Sequence, residues 1–158
     1  MAAKGEAVMA LYLMRHGDFI PREIDPDCPL SERGVVEVTK AAELAAGRGA
    51  RVLQIQHSDR TRAAQTASIC SEILRPPGGC GEMAGLHPHD DIFAVLGFIE
   101  DTEDSMLIGH LPFLEKLASY LVTATLEKAV TSFPTAAIVC LDREPDQETW
   151  KIVWKIKP

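Results

Sequence analysis

Ala7-Val8-Met9-Ala10-Leu11-Tyr12-Leu13-Met14, followed at once by Arg15-His16-Gly17-Asp18, is the stretch on which the reading of this chain turns. The first eight residues are apolar throughout, not at alternate positions, which fits a strand covered on both faces inside a parallel sheet. The run is well below the ~18 to 20 residues of a spanning helix, and no small-residue cleavage pattern follows it, so it reads as neither a membrane segment nor a signal peptide. Charged and polar side chains stand directly at its carboxyl end, the edge where open α/β sheets bind their ligands.

Working outward, residues 17–30 carry Pro21, Pro26 and Pro29 and read as a loop. Ser31 is a good N-cap for a helix whose apolar positions Val35, Val38, Ala42 and Ala45 recur at helical spacing until Gly47 and Gly49. Arg51 to Gln56 predicts a second short strand. Ser58 is expected to cap a helix with Ala63, Thr66, Ile69 and Ile73 on its buried face, stopped at Pro76 and Pro77. Residues 75–87 read as irregular, with a helix from about Pro88 to Phe98 beyond them. Ser105 to Gly109 predicts a third buried strand, Leu111 to Ala124 a helix, and Ala136 to Leu141 a fourth strand. After a polar turn, Trp150, Ile152, Trp154 and Ile156 alternate with Lys151, Lys155 and Lys157, so an amphipathic strand with its apolar side chains on one face is expected near a sheet edge.

At 158 residues with no repeat or linker, the chain is expected to form a single α/β domain over 1–158. Its 46% hydrophobic and 25% charged residues are ordinary globular values and exclude a disordered or coiled-coil chain. A formal net charge of -7 would repel nucleic acid and anionic membrane at long range, so neither is an expected partner. Cys28, Cys70, Cys80 and Cys140 show no metal-type or redox-type spacing, which predicts reduced thiols and a cytoplasmic location.

The three buried strands end in Arg15-His16-Gly17-Asp18, in His57-Ser58 with Arg62 one helical turn on, and in Gly109-His110. Two arginines and several histidines would thus converge on one rim of an acidic protein. Arg15 and Arg62, with no evident carboxylate partner, match a bound phosphate dianion. A neutral imidazole at His16 is a competent nucleophile toward phosphorus. Gly17 would let the backbone approach the phosphate and offer a carbonyl to fix the His16 tautomer. His110 would stabilise the charge of an in-line transfer. Asp18 and Ser58 are further candidates for substrate contact, with helix capping the plainer role for Ser58.

These residues resemble the histidine phosphatase superfamily. Leu13-Met14-Arg15-His16-Gly17-Asp18 is similar to its R-H-G signature and Pro29-Leu30-Ser31-Glu32-Arg33-Gly34 to its L-[ST]-x-x-G helix start. Ser58 to Thr66 resembles its S-x-x-x-R-[AC]-x-Q-T segment, and Gly109-His110-Leu111-Pro112 its second histidine. Within the superfamily the short chain and the R-H-G-D, H-L-P and Phe133 to Ala137 stretches look most like the SixA-type phosphohistidine phosphatases. The resemblance implies a three-layer α/β/α domain of phosphoglycerate mutase-like fold, with a mostly parallel central sheet and an antiparallel edge strand. It implies His16 as the phosphorylated nucleophile, Arg15 and Arg62 as the phosphate clamp and His110 as the second histidine. The expected substrate is a phosphohistidine-bearing phosphotransfer or carrier protein, with no cofactor and no metal.

The pattern departs from the larger members, including the phosphoglycerate mutases, at the proton donor. Where a Glu is expected, this chain reads Glu82-Met83-Ala84-Gly85-Leu86-His87-Pro88, and Asp18, Glu82, His87 and His89 stand as alternatives. A phosphohistidine substrate tolerates that loss, because its leaving imidazole can be protonated beforehand on the nitrogen away from phosphorus. Three other readings remain beside it: a broader phosphomonoester phosphatase, a metal-dependent phosphatase using His87-Pro88-His89-Asp90-Asp91, and a non-catalytic phosphate- or phosphoprotein-binding module.

Overall fold

The apolar run at the start does become a central strand. In the computed structural model, which describes residues 8–158, β1 (Met9–Arg15) lies between β4 (Ser105–Gly109) on one side and β5 (Ile138–Arg143) on the other. Ala7, the first residue of the expected strand, lies outside the described residues. β2 (Gln54–His57), β3 (Cys80–Glu82) and β6 (Lys151–Ile156) complete a six-stranded sheet of order β3-β2-β4-β1-β5-β6. The β1, β2, β3 and β4 pairings are parallel, whereas β5 pairs antiparallel with β1 and with β6 at the far edge.

Four helices cover the sheet: α1 (Glu32–Gly47), α2 (Thr61–Leu74), α3 (Phe93–Asp101) and α4 (Phe113–Thr123). The pleat of β1 divides the core. Tyr12 and Met14 pack with Val38, Ala41, Ala45, Ala63 and Cys70 of α1 and α2, while Leu11 and Leu13 pack with Val95, Ile99, Phe113 and Leu117 of α3 and α4. A three-layer α/β/α domain results. Each large apolar side chain fully buried in this way contributes roughly 1.5–3 kcal/mol.

α1 starts as its cap residue predicts, with Ser31 Oγ accepting from the Gly34 amide at 3.0 Å. Its buried stripe runs through Val38, Ala41, Ala42 and Ala45, and Val35 is exposed. The other boundaries shift more. α2 is capped at Arg60 without a side-chain bond, so Ser58 is not its cap. α3 begins at Phe93 and not at Pro88, because residues 87–92 are held as turns by bonds from the His87 amide to Asp90 and from the Phe93 amide to Asp91. The irregular stretch before them contains β3, which has no hydrophobic side chain except Cys80 and pairs along the edge of β2.

The tail corrects the expectation of one apolar face. A register shift at Cys140/Leu141 breaks the β5–β6 alternation. Trp154 and Ile156 therefore pack with Tyr12 and α1, whereas Trp150 and Ile152 pack with the opposite cluster. One extra residue in a strand reverses the side to which everything beyond it points.

Candidate active site

Because β2, β4 and β1 are adjacent and parallel, their carboxyl ends deliver Ser58, His110 and His16 to one place. His16 is 3% exposed and its ring centroid lies 5.0 Å from that of His110, which is 2% exposed. The backbone around His16 is tied on both sides: its amide donates to Gly109 O and its carbonyl accepts from the Ala136 amide.

His16 Nδ1 lies 2.8 Å from Gly17 O. A carbonyl only accepts, so Nδ1 carries the hydrogen and the lone pair resides on Nε2. Burial lowers the His16 pKa to about 4, opposed by the Gly17 bond and reinforced by Arg62 and Arg15. The neutral state of the His16 imidazole is thus produced mainly by burial, with the arginines contributing less.

Gly17 does provide the tautomer-fixing carbonyl, but the steric reason for a glycine there is packing. A Cβ would sit 2.6 Å from Val38 Cγ2 and 3.2 Å from Gly34 O. Gly34 is tighter still, since its Cβ would stand 2.0 Å from Asp18 O. These two glycines let α1 press directly against the loop that carries His16. Thr66 ties that loop to α2, accepting from the Gly17 amide at 3.1 Å and donating to Arg62 O at 2.8 Å.

Arg15 is held by a 3.0 Å bond from Nη1 to Phe133 O. Arg62 stacks over Phe19, with Cζ 4.7 Å from the ring centroid, and the edge of the same ring meets His16 at 5.4 Å. Burial lowers the pKa of both arginines. Arg15 Nε and Arg62 Nε are buried without a hydrogen-bond partner in the protein, as is His110 Nδ1. Buried unpaired polar atoms are costly, and two guanidinium donors and an imidazole nitrogen near His16 suit an anion with several acceptor oxygens.

Ser58 is 1% exposed, and its Oγ lies 2.6 Å from His110 Nε2. The Arg60 amide donates weakly to the same oxygen at 3.4 Å. His110 has its pKa pushed down to about 3, by burial first and then by His16 and Arg62. Sequence reading placed Ser58 at the rim but missed this bond, and it gave Phe19 no role; both contacts join distant parts of the chain.

The alternatives for a proton donor separate. Asp18 lies near His16, with its carboxylate accepting from Ser31 Oγ at 2.6 Å. His87 Nε2 pairs with Asp59 Oδ1 at 2.6 Å, and a cleft of about 230 Å³ places Glu82 beside this pair. His89 is exposed. His57 Nδ1 donates to Ser58 O at 2.8 Å. Among the described residues no three His, Cys, Asp or Glu side chains stand together as a metal-holding group, the 87–91 stretch included, and no helix is long and apolar enough to cross a membrane. All four cysteines are free thiols.

Residues 11–78 match the family model of the histidine phosphatase superfamily (branch 1). The whole fold is similar to the protein histidine phosphatase SixA complexed with tungstate, with a TM-score of 0.81 at 23% identity over 94% of this chain and 96% of that one. A protein of Agrobacterium tumefaciens named as a phosphohistidine phosphatase SixA gives 0.77 at 25% identity, covering 95% and 98%. The mycobacterial glucosyl-3-phosphoglycerate phosphatase in complex with VO3 gives 0.71 at 17% identity, covering 92% and 98%. No curated protein matches the sequence.

Proposed function

We propose that this chain, whose residues 11–78 match the histidine phosphatase superfamily model and whose fold is that of the SixA structures, is a phosphatase that hydrolyses protein-borne phosphohistidine through a phospho-His16 intermediate. The observation that carries the reading is the His16 Nε2 lone pair, freed by the Gly17 bond, with unpartnered nitrogens of Arg15, Arg62 and His110 near it. A module that only bound phosphate would need the arginines but no tautomer-fixed imidazole between them.

In this mechanism Arg15 and Arg62 hold the phosphoryl oxygens and His16 Nε2 attacks phosphorus. The bond from phosphorus to the substrate imidazole breaks, and that imidazole leaves neutral when its other nitrogen already carries a proton. Water then attacks phospho-His16, the new P–O bond replaces the P–N bond, and phosphate departs with His16 neutral again. Ser58 orients His110. In the tautomer this mechanism uses, the Ser58 hydroxyl donates to His110 Nε2, and the His110 proton on Nδ1 stabilises the transferring phosphoryl group.

Two features favour phosphohistidine over an alkyl phosphate. The first is that P–N to P–N exchange needs little acid assistance, and no glutamate occupies the place in 82–88 where the larger members are expected to carry their donor. The second is the disposition of residues 75–104: β3 extends the sheet edge, and α3 buries Val95 and Ile99 in the core on its far face, so neither is spent on a cap. A second reading, phosphomonoester hydrolysis, is favoured by the His87–Asp59 pair near His110, a proton donor suited to an alkoxide leaving group.

The test is phosphate release from a histidine-phosphorylated phosphotransfer protein in excess chelator, with His16→Ala and a phosphoserine peptide as controls. His16-dependent release from phosphohistidine alone supports the proposal. Comparable release from phosphoserine favours the second reading, and activity lost only to chelator overturns both.

A further inference from the structure

We propose that Arg22 and Arg60 form a second anion site beside the phosphate clamp, and that it takes acidic side chains flanking the phosphohistidine on the partner protein. This inference rests on the phosphohistidine reading and adds the partner's chemistry to it.

Four arginines gather at this rim in a chain whose formal net charge is -7. Arg15 and Arg62 suffice for a phosphoryl group. Arg60, at the start of α2, and Arg22, in the loop after β1, are exposed, and with Arg62 they line one cleft of about 180 Å³. Both bear on Arg62 closely enough to help lower its pKa, and Arg60 bears on His110 as well. Among the described residues none of the four has a carboxylate within salt-bridge distance. Two aspartates share the cleft, Asp27 and Asp59, and Asp59 is already engaged by His87 on its other side. Three guanidinium groups against two carboxylates leave the cleft one net positive charge, with Arg22 and Arg60 the two not needed by the phosphoryl group, a strength that suits a carboxylate better than a second phosphate dianion.

The global charge explains why such a patch has a use. An acidic partner is repelled by the protein as a whole, so productive encounter requires a local surface of opposite sign at the place where phosphohistidine must enter. The exposed guanidinium groups also set the magnitude: surface charge pairs are weak, so two of them provide a preference of roughly two- to tenfold and not an absolute requirement.

The experiment compares two histidine-phosphorylated peptides identical except that the phosphohistidine is flanked on both sides by Glu in one and by Gln in the other. kcat/KM is measured for the wild type and for the Arg22→Gln/Arg60→Gln variant at low and high salt. The readout is the ratio between peptides, which a general loss of activity or folding does not move. The expected result is a preference for the Glu peptide of about two- to tenfold in the wild type, reduced by salt and abolished in the double variant. Equal rates for the two peptides in the wild type, or a preference that survives in the variant, overturns this inference alone. No release from either peptide by the wild type overturns the phosphohistidine reading and this inference with it.

Discussion

Replacing Ser58 by Ala tests the arrangement of the site at a residue that need not touch phosphate. The substitution removes Oγ, 2.6 Å from His110 Nε2, from a place where Ser58 and His110 are almost wholly buried. Leaving one buried partner unsatisfied costs about 1–3 kcal/mol. If that cost falls on the transition state, where the proposed mechanism has His110 present its Nδ1 proton, kcat drops by about 5- to 150-fold. Affinity for inorganic phosphate should change less, because Arg15 and Arg62 still supply the charge. Phosphate release gives kcat, competition by inorganic phosphate gives the affinity, and two-bond ¹H–¹⁵N spectra report which nitrogen of His110 carries the proton. Ser58→Thr keeps the hydroxyl and should recover most of the rate, with thermal melting separating any packing cost of the added methyl. A kcat for Ser58→Ala within about twofold of wild type, or a wild-type spectrum with the His110 proton on Nε2, would refute the reasoning.

His16 and His110 have their pKa values lowered from 6.5 to about 4 and about 3, so in the acid range the unfolded chain binds protons that the folded state refuses. Stability is therefore complete above pH 6.5 and falls as the pH drops toward 4, by about 1.4 kcal/mol per unit for each imidazole; urea midpoints between about pH 7 and 5 should show it, with the slope roughly halved in His16→Asn. For the same reason kcat/KM should lack a limb near the ordinary histidine pKa, losing the neutral nucleophile only as the pH approaches about 4. Gly34→Ala drives a Cβ into Asp18 O and should cost roughly 1–3 kcal/mol or more. Gly47→Ala, with nothing within 4 Å of its Cβ, should be neutral or stabilising by up to about 1 kcal/mol, and chemical denaturation compares the two. Phe19→Ala removes the ring under Arg62 and beside His16, and steady-state kinetics should show KM raised roughly two- to fivefold, the worth of an exposed cation–π contact.

What could be read from the sequence was what neighbouring residues decide among themselves. The unbroken apolar run of β1 required cover on both faces, Ser31 capped α1 through its own third neighbour, and Arg15, His16, Arg62 and His110 followed from their positions at strand ends and one helical turn beyond. Strand β3 was not legible, because Cys80-Gly81-Glu82 has too little apolar pattern to mark a strand and pairs only because the edge of β2 is open to it. The tail was misread for a similar reason: its alternation is real, but the shift at Cys140/Leu141 in the neighbouring pairing decides which face each tryptophan meets. The sequence by itself determined the layers and which polar side chains stand at the strand ends, since periodicity and capping act within a few residues. Only the tertiary structure decided how those groups are tuned: the Ser58 bond to His110 spans 52 positions, Phe19 meets Arg62 across a loop, and the burial that keeps both imidazoles neutral exists only once the strands and helices have closed around them.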